Sequence, residues 1–220
     1  MQELSLNSDP VILRGYIQDA QLLANWKDIE FCINNPWQYG PSIIHKKLNT
    51  KIPLKYEDAF WFGKPVADKR QVMDYVQQGH TLVLENYSVH SVATHEVCKR
   101  IEDLLDVTAD MHVHCSLGPS ASYPIHCDRA SNFIIQVSGE TEWKVFDKQG
   151  DPVYNTTITE AEAGKTVIDT VLRPGDVLFI PAGTYHKATP FEKRISISVP
   201  CATECKPINR RQLKLNEPEN

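Results

Sequence analysis

The sequence predicts a mainly β protein with an N-terminal α/β elaboration, its second half folding into a small barrel or double-sheet roll. Three observations carry that prediction. Apolar residues recur at helical spacing only in the first half, as Val72, Tyr75 and Val76 do in "KRQVMDYVQQ". After residue 110 the apolar period drops to two and stays there. Short turn sequences, "SGE", "DKQGD" and "RPGD", cut that half into strand-length pieces. With 220 residues, 41% hydrophobic and 23% charged, the chain has room for one sizeable domain. Within it we expect an elaboration over 1–78 packing on a core over 79–200, followed by a tail over 201–220.

Taken in order, residues 10 to 16 read as a short strand and "IQDAQLLANW" (17 to 26) as a helix with a polar first turn. From Asn34 to Pro65, Pro, Gly and aromatic residues crowd together, a composition expected of ordered loops packed by rings. Asp68 is placed to cap a helix over "KRQVMDYVQQ" and Gly79 to end it. An aspartate oxygen accepts from first-turn amides, and glycine adopts the left-handed conformation that closes a helix. "HTLVLENY" follows as a strand, and "SVATHEVCKRIEDLLDV" as a helix with Val97, Ile101, Leu104 and Leu105 on one stripe. Strands are then expected over 111–117, 131–138, 141–147, 166–172, 176–181 and 193–199.

The formal charge of -5 and a pI near 5.9 argue against a strong field for phosphate or anionic lipid, so bulk nucleic acid and membranes are not expected partners. The N-terminal residues hold no long apolar run, so neither a signal peptide nor a membrane span is expected. Cys32, Cys98, Cys115, Cys127, Cys201 and Cys205 form no Cys-x-x-Cys pair, which predicts free thiols in a reducing, cytoplasmic setting. Cys201 and Cys205, four apart, lack the further ligands of a metal site, and the sequon "NTT" at 155–157 has no role in such a setting.

Three strands carry a polar face opposite an apolar one. His112, His114 and Ser116 alternate with Val113 and Cys115; Arg194, Ser196 and Ser198 alternate with Ile195, Ile197 and Val199; Asn132 and Gln136 share a face with Ile134. A solvated sheet would show the same pattern. The stretch "HCD" points elsewhere. His126 and Asp128, two apart on extended backbone, point the same way and can bind one ion, with Cys127 turned to the other face as a spacer. His186 lies 60 residues later, delivered just beyond the end of the strand "VLFIP". Two imidazoles and one carboxylate are the ligand set of non-haem Fe(II), which leaves open positions for other ligands.

From "GHTLVL" through "HVHCSLGP", "HCDRASNFIIQVSGETEW" and "VLRPGDVLFIPAGTYHKA" to "ISISVP", about 120 residues in order, the chain resembles the Jumonji-C-like branch of the cupin superfamily. Within it the chain is nearest to the catalytic core of the ribosomal-oxygenase type. The resemblance implies a double-stranded β-helix with Fe(II) on His126, Asp128 and His186. It also implies 2-oxoglutarate chelating the metal, its oxidative decarboxylation by O2 to succinate, and hydroxylation of an unactivated C–H bond. By the same resemblance Asn132 and Gln136 line the pocket near the cosubstrate.

The chain departs from that pattern where such relatives carry a Lys or Arg for the distal carboxylate of 2-oxoglutarate: here stands Thr141. A hydroxyl cannot neutralise a carboxylate, and a buried unpaired charge costs several kcal/mol. "RIS" resembles the Arg-x-Ser arrangement of other 2-oxoglutarate oxygenases, which makes Arg194 with Ser196 the substitute and Lys144 the runner-up. His112 and His114 replace the asparagine and tyrosine expected there, as contacts to cosubstrate or substrate or as core histidines. Trp37, Tyr39, Phe60, Trp61 and Phe62 are candidates for an aromatic substrate wall, or for packing. The expected activity is hydroxylation of an amino-acid side chain in a protein or peptide. The alternatives are a small-molecule hydroxylase of the same mechanism, a cupin enzyme that uses no 2-oxoglutarate, and a non-catalytic binding module.

Overall fold

The computed structural model describes residues 9–48, 50–59, 64–119, 123–151 and 157–203. Among these residues two antiparallel sheets enclose a common interior. The larger, of nine strands, runs in the order β1 (Val11–Leu13), β14 (Val177–Ile180), β10 (Ser131–Ser138), β16 (Arg194–Ala202), β8 (His112–Ser116), β6 (Thr81–Leu84), β2 (Ser42–Ile44) and β3 (Lys51–Ile52), with β7 (Thr108–Ala109) paired to β16. The smaller, of five, runs β12 (Thr157–Ile158), β9 (Ile125–His126), β15 (Thr184–Pro190), β11 (Thr141–Gln149) and β13 (Thr166–Leu172). A separate hairpin joins β4 (Tyr56–Ala59) to β5 (Lys64–Ala67).

The period-two pattern has a direct structural cause. On β10, Phe133, Ile135 and Val137 join a core with Ile195, Ile197 and Val199 of β16, Val113 and Cys115 of β8, and the helices α1 (Trp26–Asn34), α3 (Lys69–Gln77) and α4 (Val92–Leu105). The opposite face carries Ile134, which packs with Trp143, Val145, Leu172, Leu178, Ile180 and Ala188 between the two sheets. Each large side chain so buried contributes roughly 1.5–3 kcal/mol. Polar residues on the inward faces of β8, β10 and β16 therefore look into the roll and not into solvent.

Local signals set the helices. Asp68 accepts from the amides of Arg70 and Gln71, and at the other end Gly79, at φ +84°, donates to Val76 O while His80 donates to Tyr75 O. That closure needs the left-handed backbone that glycine supplies. Ser91 caps α4 reciprocally with Thr94.

Several expectations are corrected. Residues 17–26 form turns and one 3-10 turn at Ala20–Leu22, because Asn25 and Asp28 make a capping box that starts α1 at Trp26 instead. The stretch from 34 to 65 holds a short helix, α2 (Pro36–Tyr39), and β2, β3 and β4, not loops alone. With β1, strands β2 and β3 are hydrogen-bonded into the main sheet. Beyond β14 a further strand, β15, carries His186. His126 belongs to β9 of the smaller sheet, apart from β10, and the chain crosses between sheets through residues 127–130.

Candidate metal and cosubstrate site

The register of the smaller sheet builds the centre. His126 on β9 pairs directly with His186 on β15, and their ring centroids lie 4.4 Å apart. Asp128 sits on the crossover that follows β9, its carbonyl accepting from the Gly183 amide at 2.9 Å. Its Oδ1 is 3.5 Å from His126 Nε2 and its Oδ2 3.5 Å from His186 Nε2. One ligand atom from each of the three residues falls within 4.8 Å of the others. Cys127 turns the other way, into a cluster with Ile125, Phe146, Ala163 and Tyr185.

Hydrogen bonds fix how these groups face. His126 Nδ1 lies 2.8 Å from Pro124 O and His186 Nδ1 2.9 Å from Thr184 O. Carbonyls only accept, so both Nδ1 atoms carry protons and both Nε2 lone pairs converge beside the carboxylate. Burial, and then the neighbouring His126, push His186 down to about 4, which keeps it neutral at physiological pH. Asn132 Nδ2 donates to Asp128 Oδ2 at 2.8 Å and orients the carboxylate. Two imidazole Nε2 atoms converging beside a carboxylate suit a divalent cation.

A cavity of about 550 Å³ continues from this cluster between the sheets. His112, His114, Asn132, Trp143, Arg194 and Ser196 help to line it. Arg194 is 1% exposed and burial lowers it to about 10, so it remains a cation at neutral pH. Its Nη1 donates to Ser196 Oγ at 3.1 Å and to His114 O at 3.3 Å. Burial, and then Arg194, hold His114 well below the usual histidine range, hence neutral. The indole N–H of Trp143, on the same wall, is buried without a hydrogen-bond partner, as is the hydroxyl of Thr141 two residues before it on β11. A cation and an unsatisfied donor on the cavity wall fit an anionic ligand that also accepts hydrogen bonds.

Other expected residues fall elsewhere. Thr141 is fully buried but does not line the cavity. Gln136 is likewise absent from its wall and supports Ser196 from behind. Lys144 points to the outer face of β11, toward Glu160 at 3.7 Å and Asp169 at 3.9 Å, because its parity opposes that of Trp143. Tyr39 is buried in the elaboration, its hydroxyl 3.0 Å from His90 Nδ1, and is not a substrate wall. The side chain of Trp37, residues Phe60, Trp61 and Phe62, most of the sequon and Cys205 lie outside the described residues. In the sequence, only the parity that Trp143 shares with Thr141 marks it as a site residue.

A two-sheet antiparallel roll with two histidines and one carboxylate on its inner wall is a cupin-type fold with a candidate metal site. The match to a family model is specific: residues 88–206 fit the JmjC domain, and the chain belongs to that family. The bifunctional lysine-specific demethylase and histidyl-hydroxylase NO66 of Drosophila simulans is 27% identical over 133 residues, covering 58% of this chain and 16% of that protein. Its Drosophila melanogaster counterpart is 26% identical over 133 residues, covering 58% and 20%. The chain thus spans a fifth or less of these relatives. YcfD of Escherichia coli, a ribosomal oxygenase solved in complex with cobalt and 2-oxoglutarate, superimposes with a TM-score of 0.61 at 18% identity, over 92% of this chain and 50% of that one. That likeness shows the fold.

Proposed function

We infer that this JmjC domain is a non-haem Fe(II)- and 2-oxoglutarate-dependent oxygenase that hydroxylates an unactivated C–H bond on an amino-acid side chain of a protein or peptide. One observation carries the reading: the His126, Asp128 and His186 cluster and the buried Arg194 stand on the walls of one cavity. The metal would sit on the two Nε2 atoms and Asp128, and 2-oxoglutarate would direct its distal carboxylate to Arg194. Bound together, Fe(II) and 2-oxoglutarate would activate O2, the oxidant: one oxygen atom would go to 2-oxoglutarate, decarboxylated to succinate and CO2, and the other to the substrate C–H bond.

The chain's own part is binding and orientation. Pro124 O and Thr184 O hold the two imidazole rings, and Asn132 holds Asp128. Buried His114 stays neutral, so the charge that Arg194 offers a carboxylate is not joined by a second cation beside it. Ile134, Trp143 and Ala188 give the cavity wall apolar surface near the metal ligands. The relatives support a polypeptide substrate, since NO66 is a histidyl-hydroxylase and YcfD a ribosomal oxygenase.

The test supplies the protein with Fe(II), 2-oxoglutarate and O2, once with a peptide library and once with free amino acids, and reads gained oxygen by mass spectrometry. Oxygen incorporated into peptides, dependent on 2-oxoglutarate, is the expected result. Incorporation only into free amino acids would replace the polypeptide substrate by a small one.

A further inference from the structure

We propose that Gln136 is a positioning residue for the distal carboxylate of the cosubstrate: it accepts the hydrogen bond that the Ser196 hydroxyl donates, and so leaves that carboxylate to the Arg194 guanidinium. The inference rests on the reading of Arg194 given under Proposed function.

The direction of each hydrogen bond follows from its neighbour. Gln136 Nε2 donates to Ser138 O at 3.0 Å and to Gly139 O at 2.9 Å. Carbonyl oxygens only accept, so both amide protons are committed and the orientation of the amide is set. Its Oε1 then faces Ser196 as an acceptor, 2.8 Å from Oγ, and the serine must donate. A hydroxyl has one proton. Lone pairs are what Ser196 presents to Arg194, whose Nη1 donates to that oxygen at 3.1 Å and to His114 O at 3.3 Å. Gln136, Ser196 and Arg194 are 0%, 2% and 1% exposed, so bulk water does not compete for these bonds.

The backbone beneath is equally constrained. The pairing of β10 with β16 shifts register between Gln136 and Ser138. Gly139 follows at φ +68°, and a Cβ there would overlap the carbonyl oxygen of Lys193 and lie 3.1 Å from Arg194 Cα. The turn between β10 and β11 is thus pressed against the first residues of β16, and Gln136 ties its carbonyls through Ser196 to the guanidinium. An Arg-x-Ser pair suggests two donors for a carboxylate. In this chain the serine is an acceptor that aims the arginine.

The test titrates the full chain, loaded with Mn(II), by calorimetry with 2-oxoglutarate and with 2-oxobutyrate, which keeps the chelating 2-oxo acid and lacks the distal carboxylate. Gln136→Leu removes the acceptor and frees the serine hydroxyl to donate elsewhere. Affinity for 2-oxoglutarate should fall about tenfold, a loss of order one hydrogen bond, while 2-oxobutyrate binds as before. Gln136→Asn, which keeps the amide but draws it back from Ser196, gives the same reading should the leucine variant not fold. Combining either variant with Ser196→Ala should add little, because the residues act in one chain of bonds. Unchanged or tighter 2-oxoglutarate binding, or equal loss of both ligands, would overturn the proposal. If the wild type binds the two ligands equally, the assignment of Arg194 fails instead.

Discussion

His126 and His186 stand opposite one another as a register pair between β9 and β15, and Asp128 reaches both Nε2 atoms at 3.5 Å. Two of the three groups are therefore placed by sheet pairing, which is stiff. The third is placed by a crossover pinned through the Gly183 amide and through Asn132. Ligands so pre-oriented lose little freedom on binding a metal.

The centre should bind one divalent cation per chain. Changing His126, Asp128 or His186 to Ala should abolish tight stoichiometric binding of Fe(II) or Mn(II), measured by anaerobic calorimetry. Tight binding kept by Asp128→Ala would count against the assignment.

Cys127 lies in the cluster behind the metal ligands, where Phe146 and Tyr185 surround it. Cys127→Ala should leave metal stoichiometry unchanged and cost about 1 kcal/mol in packing, read as a modest loss in thermal stability. Loss of the metal in this variant would show that the thiol faces the centre.

Arg194 and Lys144 separate the inner wall from the outer. Arg194→Ala should weaken 2-oxoglutarate binding by two orders of magnitude or more, since breaking a buried charge pair costs about 3–5 kcal/mol. Arg194→Lys should recover part of the loss, and Lys144→Ala should change nothing. Steady-state KM for 2-oxoglutarate, beside direct metal titration, measures all three.

Asp110 gives a pH signature. Burial alone would raise its carboxyl, but hydrogen bonds from His112, Ser88 and the Met111 amide outweigh it and hold the group at about 2, below the ordinary 3.8. A carboxyl depressed in the fold stabilises it fully above the unfolded value, and the contribution is lost as pH falls from about 4 toward 2. Asp110→Asn should thus be less stable than wild type at neutral pH and converge with it on acidification, as followed by chemical denaturation across that range.

Much of the site was legible because strand parity is a strong constraint. The His-x-Asp spacing, the shared face of Arg194, Ser196 and Ser198, and the opposite facing of Cys127 follow from alternation alone. Parity says which face a residue occupies, but not what that face meets. Gln136 shares its inward face with Asn132, yet the cavity does not reach it, because its amide is drawn to the turn carbonyls. Strand β15 was hidden because Thr184, Tyr185 and His186 are buried in succession, which erases alternation. The start of α1 was written in Asn25 and Asp28, but the apolar run of Leu22, Leu23 and Ala24 masks it.

The most direct measurement is succinate formed per 2-oxoglutarate consumed, by the wild type and by His186→Ala, with Fe(II) and O2 supplied. The account predicts succinate in equal amount to the 2-oxoglutarate lost, dependent on both Fe(II) and O2, and background levels in the variant. A wild type that binds the metal stoichiometrically yet forms no succinate above background, with or without peptide, would contradict it.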